Sequence, residues 1–300
     1  MGTRAGIDTW LLGRAQDGGV PHLGCDLACC AAARAEGRVE YPCSLGVRDH
    51  ATGSLVLIDA TPAVEPQIAM LHQLTNSQQR GRRPVDAVLL THAHIGHYAG
   101  LLQFGKEVAA VCATPVYCTP RMANFVRTNA PWSALLSDGH IELVEIPLSA
   151  DGCGICEPLP GLSVEAIVVP HRDEYSDTVA FRLRGSSQTV LWAPDVDQWG
   201  KHSGLAERLL DGVDVAYVDG TFFDEAEVVG RDLGDIPHPF ICETMTLLGE
   251  VAMKQPGRIR FIHFNHTNPV LRDAALRAKI EGVGFGVAAV GESVLLSQGA

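Results

Sequence analysis

The sequence has no apolar run long enough to cross a lipid bilayer, and its first residues lack the apolar core of a signal peptide. Basic residues are fewer than acidic ones. The sequence has 23 Lys and Arg and 35 Asp and Glu, which gives a formal net charge of -12. That charge argues against a nucleic-acid backbone as the main substrate, although it does not exclude a small anion held at a metal. We therefore expect a cytoplasmic protein that acts on a small molecule and binds neither membrane nor nucleic acid.

Apolar residues, by contrast, make up 46% of the 300 positions, which is enough for a sizeable buried core. Predicted strands and helices alternate in both halves of the chain, and this rhythm is typical of a layered α/β protein. We assign residues 1–300 to a single domain. The nine cysteines favour thiols and metal ligands over disulfides in a cytoplasmic chain. Nothing in the pattern indicates an oligomeric state.

The most informative stretch follows a short apolar run, Ala87–Leu90, which reads as a buried strand that stops at Thr91. Three histidines, His92, His94 and His97, then fall within six residues. The end of a strand aims alternate side chains in one direction, and a turn can bring the third histidine to the same place. Neutral imidazole is the commonest metal-ligand side chain, so this stretch predicts a metal site.

Other polar side chains also come at the ends of predicted strands. Asp59 ends one such strand and could either accept a hydrogen bond from a metal-bound imidazole or cap the helix that follows. We assign it, together with Asp219, to the support of metal ligands. The remaining candidates at strand ends are His171, Asp195 and His263. Ligands gathered from many strand ends indicate a site at one edge of packed sheets.

The pattern His92-x-His94-x-Gly96-His97 resembles the His-x-His-x-Asp-His signature of the metallo-β-lactamase superfamily. Gly96 departs from it, since the family carries a metal-binding aspartate at that position. The resemblance implies an αββα sandwich of the metallo-β-lactamase type. It also implies that His171, Asp195 and His263 are the third, fourth and fifth metal motifs, with the aspartate bridging two metals.

Two metal positions follow from this resemblance, with zinc as the expected ion and iron or manganese as alternatives. The first would be held by three imidazoles beside a carboxylate, namely His92, His94, His171 and Asp195. The second would be held by Asp195, His97 and His263. We expect the second position to be weaker unless another residue or a water fills in for Gly96. A Gly96→Asp substitution is accordingly expected to rebuild it.

A structural zinc site is also predicted near the N-terminus. Cys25, Cys29 and Cys30 lie after a glycine-rich loop and need one more ligand, unless they are only small buried thiols. Here the chain resembles the pyrroloquinoline quinone (PQQ) biosynthesis B proteins and a cyclic phosphodiesterase of phosphonate catabolism, which have a cysteine where this chain has Leu27. The second resemblance implies His266 as the fourth ligand, although its role and that of His263 could be exchanged.

The segments 219–223, 230–234 and 267–271 resemble the PQQ biosynthesis B proteins specifically. A further pair, Cys153 and Cys156, is followed by Pro158 and Pro160 where a redox motif would have a helix, so we predict a surface loop there.

Hydrolysis is the first functional hypothesis, in which a metal-activated water attacks a small ester, a phosphodiester or a related substrate, with Asp195 and His263 as catalytic residues. The alternative is a non-haem Fe(II) oxygenase, because two histidines and one carboxylate are the ligands of that class. The resemblance to the B proteins implies hydroxylation of a tyrosine-derived precursor. A carrier of metal or cofactor is a third, non-enzymatic interpretation.

Overall fold

Strands and helices alternate along the chain in a computed structural model, which describes residues 6–78, 81–228, 230 and 236–298. The elements of the first half are β1 (Gly6–Gly13), α1 (Ala28–Glu36), β2 (Ser44–Asp49), β3 (Leu55–Ile58), α2 (Val64–Thr75), β4 (Ala87–Leu89), α3 (Ile95–Tyr98), β5 (Thr114–Cys118), α4 (Pro120–Thr128), α5 (Trp132–Ser137) and β6 (Ile141–Glu145). Those of the second half are β7 (Cys153–Leu159), β8 (Leu162–Val169), β9 (Thr178–Arg184), β10 (Thr189–Ala193), α6 (Leu205–Leu210), β11 (Val215–Asp219), α7 (Ile241–Lys254), β12 (Ile259–Ile262), α8 (Ala274–Gly282), β13 (Gly286–Val287) and β14 (Ser293–Gln298).

The strands form two sheets, one in the order β14-β1-β2-β3-β4-β5-β6 and the other in the order β13-β12-β11-β10-β9-β8-β7. The neighbouring pairs from β3 to β6 are parallel, and so are those from β10 to β13. Strands buried on both faces, such as β3 and β11, read as continuous apolar runs because a helix layer covers the outer face of each sheet.

Three apolar layers account for the packing. The middle layer lies between the sheets and contains Leu45 and Ile58 from the first sheet against Phe181 and Trp192 from the second. Residues of α2 and α4 pack on the outside of the first sheet, and those of α6, α7 and α8 on the outside of the second. The predicted αββα sandwich is confirmed.

The parallel strands place their carboxyl ends along one edge of each sheet. Asp59 follows β3, and the histidine motif follows β4. In the second sheet β8 runs in the same direction as β10, since both are antiparallel to β9, so His171 and Asp195 emerge at the same edge. His263 follows β12 there. The topology therefore gathers the predicted ligands on one side of the sandwich.

The prediction of a surface loop at residues 153–156 is wrong, since these residues begin β7 at the edge of the second sheet. The prolines suggested a loop, but an edge strand tolerates them, and here the pairing with β8 shifts register between Cys156 and Leu159. Of the segment 230–234, only Gly230 lies among the described residues. Within the part of the chain that the structure describes, no helix is long and apolar enough to cross a membrane.

Candidate metal centre

Three imidazoles from both sheets converge on the first metal position. His92 Nε2 lies 2.9 Å from His94 Nδ1, which in turn lies 3.3 Å from His171 Nε2. Ligands at the corners of a zinc tetrahedron are about 3.3 Å apart when each Zn–N distance is near 2.0–2.1 Å. The Asp195 carboxylate completes the set, 3.4 Å from His92 Nε2 and 3.6 Å from His171 Nε2. The spacing and the donor types therefore fit a tetrahedral metal ion.

Burial keeps two of these imidazoles neutral. It lowers the pKa of His94 to about 4 and holds the pKa of His92 well below its ordinary value, and the neighbouring histidines add to both effects. Metal binding requires the unprotonated ring nitrogen, so the first position is ready for an ion at neutral pH.

The second position lies on the other side of Asp195. Its Oδ2 atom is 3.0 Å from His97 Nε2 and 3.3 Å from His263 Nε2. These three atoms are buried, and none has a hydrogen-bond partner among the described residues. Buried polar atoms are rarely left unsatisfied, and three that face one point fit a shared cation. Asp17 from the glycine-rich loop is the fourth member of this group.

Protons compete with a metal at the second position. Although burial opposes its charged form, the Asp59 carboxylate raises the pKa of His97 well above its ordinary value. Burial likewise favours the neutral acid at Asp195, yet the surrounding histidines, His263 first, hold the pKa of that carboxyl well below its usual range. Metal binding here must therefore release a proton from His97.

A chain of hydrogen bonds fixes the tautomers of two ligands from the first sheet. Thr91 Oγ1 donates to Asp59 Oδ1 at 2.9 Å and so can accept from His92 Nδ1 at 3.0 Å. His97 Nδ1 donates to the other oxygen of Asp59 at 2.9 Å. Both histidines then present the lone pair of Nε2 to the metal positions. Asp59 does not cap a helix, because α2 begins at Val64.

The second sheet repeats this arrangement. Thr221 Oγ1 donates to Asp219 Oδ1 at 2.7 Å and can accept from His263 Nδ1 at 2.9 Å. His171 Nδ1 lies 3.2 Å from Asp197, a supporting carboxylate that the sequence pattern does not indicate because it does not end a strand. Each predicted ligand that uses Nε2 thus has a hydrogen-bond partner at Nδ1.

Two residues of this network have left-handed backbone conformations, Asp59 with φ 65° and His263 with φ 62°. Such values cost a non-glycine residue on the order of 1 kcal/mol or more and persist where the surrounding structure imposes them. Here the hydrogen bonds of both side chains hold them in place.

His238 is a further buried histidine at the centre, and no strand or motif indicated it in the sequence. Its Nδ1 lies 2.7 Å from Asp219 Oδ2 and 3.6 Å from Asp195 Oδ1. Burial opposes protonation, but the Asp219 carboxylate raises the pKa of His238 to about 9. Because Asp219 also accepts hydrogen bonds from Thr221 and from the Val196 amide, its oxygens are already occupied, and we assign it to support rather than to metal binding.

The cysteine site brings together only part of its predicted set. The ligand atoms of Cys25, Cys30 and His266 lie within 4.8 Å of one another, but Cys29 lies outside the group. Cys29 and Cys30 are consecutive residues of α1. Because consecutive residues on a helix point in different directions, only one of the two can face this site. The structure places His266 with the cysteines and His263 with Asp17, His97 and Asp195.

A cavity of about 370 Å³ lies between the second metal position and the cysteine site. Its lining includes Asp17, Arg172 and His238, together with His22 and His266. The Arg172 guanidinium and the His238 imidazole are the cationic groups of this lining, and Asp17 is its carboxylate.

Comparison with known proteins agrees with this architecture. The sequence profile described as a beta-lactamase superfamily domain matches residues 55–264, and the chain belongs to that superfamily. Within it, the chain is similar to coenzyme PQQ synthesis protein B. It is 28% identical to that protein from Methylobacterium radiotolerans over 95% of this chain and 99% of the relative, and 25% identical to the Klebsiella pneumoniae protein over 88% and 89%.

Solved structures support the same grouping. Zn(2+)-bound PqqB from Methylobacterium extorquens superposes with a TM-score of 0.79 at 27% identity, covering 96% of this chain and 99% of that one. A diphosphatase from the PhnP family has a TM-score of 0.64 at 18% identity, over 96% of both chains, which is a likeness of fold. The predicted resemblance to the metallo-β-lactamase superfamily and to the PQQ protein B group is confirmed.

Proposed function

We propose that this protein is a metal-dependent hydrolase that acts on a small anionic ester, above all a phosphodiester. The observation that carries the proposal is a pair of adjacent ligand sets that share Asp195. His92, His94 and His171 would hold one ion, and His97 and His263 would contribute to the other. Two ions about 3.5–4 Å apart are the arrangement that clamps the attacking and leaving oxygens of a phosphoryl centre.

When bound, the metal supplies two things, a lowered pKa of a coordinated water and polarisation of the scissile carbonyl or phosphoryl group. The chain's own residues orient the ligands through the Thr91 and Thr221 hydroxyls. His238 keeps a proton at neutral pH because of its raised pKa, and it lines the cavity beside Asp195. A protonated imidazole in that place suits the transfer of a proton to a leaving-group oxygen.

The charge of the cavity supports an anionic substrate. Arg172 and His238 both line it, and the first of these side chains is 57% exposed, so it can reach a ligand that enters from solvent. An arginine can bind a phosphate or a carboxylate through two parallel hydrogen bonds. A small anion would therefore be held between this guanidinium and the metal centre.

The test compares metal-stripped protein with protein loaded separately with zinc, manganese and iron(II). We expect bound metal of up to two ions at the centre, and metal-dependent turnover of a chromogenic nitrophenyl phosphodiester that exceeds turnover of a neutral nitrophenyl ester. Fully loaded protein that hydrolyses neither compound would contradict the proposal.

The second candidate function is an Fe(II)-dependent oxygenase in the synthesis of PQQ from a tyrosine-derived precursor. It is favoured by the near full-length similarity to coenzyme PQQ synthesis protein B and by the two histidines and one carboxylate, His97, His263 and Asp195, at the second position. Oxygen uptake by the iron-loaded protein in the presence of a tyrosine-derived substrate, without phosphodiester turnover, would select this reaction.

A further inference from the structure

Position 96 lacks the metal-binding aspartate of the superfamily signature, and the structure shows what occupies that space. A Cβ atom on Gly96 would lie 2.2 Å from Asp17 Oδ1 and 2.6 Å from the Asp17 Cα. The second contact is to backbone and cannot be relieved by a change of rotamer. Gly96 does not have a positive φ, so glycine is required here by close approach and not by conformation.

The loop that carries Asp17 is hydrogen-bonded to the segment that follows β12 and contains His263. The Gln16 amide donates to the Phe264 carbonyl at 2.9 Å, and the Phe264 amide donates to the Arg14 carbonyl at 2.9 Å. Gly19, whose φ is 63°, then closes the turn by donating to the Gln16 carbonyl at 2.8 Å. Backbone hydrogen bonds on both sides of Asp17 therefore set its position relative to His263, which directly precedes Phe264 in the chain.

The carboxylate of Asp17 faces the unsatisfied atoms of the second position. Its Oδ1 lies 3.4 Å from His97 Nε2 and 3.8 Å from His263 Nε2. Together with Asp195 Oδ2, these atoms form a group whose separations bracket the roughly 3.3 Å edge of a zinc tetrahedron. Its side chain is 31% exposed, whereas the other three ligands are almost fully buried.

We propose that Asp17, from the N-terminal loop, supplies the second metal position with the carboxylate that the superfamily signature places at residue 96. In this structure the metal-binding carboxylate can come from position 17 or from position 96 but not from both, because a side chain at position 96 would occupy the space that Asp17 fills. This chain would thus have a complete dinuclear centre in spite of Gly96. The inference concerns metal binding alone, so it can hold or fail independently of the proposed hydrolytic reaction.

The structure overturns the expectation that Gly96→Asp alone rebuilds the second position. The new carboxylate would collide with the loop that already carries one. We expect the single variant to bind metal less well than the native protein at the second position, because it displaces Asp17 and the backbone around it.

The first experiment measures metal binding by the Asp17→Asn variant. The amide has nearly the same shape but is a poorer ligand, so of the two ions at the centre that shares Asp195 we expect one to be retained and the affinity for the other to fall at least about 10-fold, since even groups that only support ligands are worth 10–100-fold. Metal content after dialysis gives the number of bound ions, and competition with a chromogenic chelator gives their affinity. Asp211→Asn, an exposed carboxylate directly after α6 and before β11, is the matched control and should bind as the native protein does.

The second experiment moves the carboxylate. Asp17→Gly combined with Gly96→Asp removes the contact with the Asp17 carboxylate, and the more permissive glycine backbone can move away from position 96, so the double variant should bind the second ion more tightly than Gly96→Asp alone. Circular dichroism and thermal unfolding establish that each variant is folded. The proposal is overturned if folded Asp17→Asn protein binds both ions of the centre that shares Asp195 as tightly as the Asp211→Asn control.

Discussion

At the scale of single residues, two threonine hydroxyls control which nitrogen of a histidine faces the metal. Thr91 lies between Asp59 and His92, and Thr221 lies between Asp219 and His263. Each hydroxyl has one proton, and donating it to the aspartate leaves the oxygen free to accept from the imidazole. The aspartate thus sets the tautomer of a histidine that it does not touch.

A Thr91→Val variant removes this relay while it keeps the shape of the side chain. We expect the metal affinity of the first position to fall about 10–100-fold, the range measured when partners of metal ligands are removed. Thr91→Ser retains the hydroxyl and should bind metal as the native protein does. Equal affinity of the two variants, measured by chelator competition, would show that the hydroxyl does not orient His92.

At the scale of secondary structure, α1 joins the N-terminal loop to the segment after β12 through a cysteine cluster. Cys30 faces His266 and Cys25, and the rings of His22 and His266 stack with their centroids 4.5 Å apart. Among the described residues, the grouped ligands are three, one fewer than a closed zinc site has. A zinc ion here would hold the loop that carries Asp17 and so influence the second metal position through the loop backbone.

The adjacent cysteines of α1 provide a matched pair of variants. Cys30→Ser should lose this zinc and lower the melting temperature by roughly 5–10 °C, since a domain of this size shifts by about 2–4 °C for each kcal/mol of stability. Cys29→Ser changes a buried thiol on another face of the same helix and should keep its zinc. A Cys30→Ser protein with unchanged zinc content and melting temperature would contradict the prediction of a structural zinc site.

At the scale of the whole molecule, the metal centre joins the two sheets. Asp59 and the histidine motif come from the first sheet, whereas His171 and Asp195 come from the second. Trp192 crosses the interface and points its ring N–H toward Asp59 Oδ2 at 3.4 Å. A bound ion therefore favours the packed sandwich over any state in which the sheets separate, and metal binding should raise stability by mass action.

The stability of the metal-free protein should have a maximum near pH 6.5. Below pH 6.5, His92 and His94 bind protons in the unfolded chain but not in the folded protein, where burial lowers the pKa of both and that of His94 to about 4. The free energy of unfolding therefore falls as the pH drops from 6.5 toward 4. Above pH 6.5, the folded state holds protons on His97 and His238 that the unfolded chain releases, so stability falls as the pH rises through about 9.

Urea unfolding of stripped protein at pH 5, 6.5 and 8.5 measures this curve, in which differences of a few kcal/mol are expected because each unit of pKa shift is worth about 1.4 kcal/mol. In metal-loaded protein the free energy of unfolding should fall less between pH 6.5 and 8.5, since a metal ion replaces the proton on His97. A stripped protein that becomes steadily more stable from pH 6.5 to 8.5 would contradict the assignment.

The sequence by itself determined the layered fold and most of the ligand positions. Apolar runs predict buried strands, and the polar residue that ends a strand must lie at a sheet edge, so His92 could be predicted as a ligand from the residues alone. The choice of Asp195 and His263 among the other strand ends depended on the resemblance to the superfamily motifs. The shared direction of parallel strands then places these ends together. Such information is local, because it depends only on neighbours along the chain.

Only the tertiary structure decided how the second metal position is completed. Asp17 lies in a loop without regular structure, and its carboxylate reaches the ligands because Gly96 leaves room for the loop backbone. His238 and Asp197 likewise enter the centre from loops, and the choice of Cys30 over Cys29 depends on the rotation of α1 against the end of β12. These contacts join residues far apart in the chain, and close packing between segments, rather than the pattern within any one of them, sets the distances that a metal ion requires.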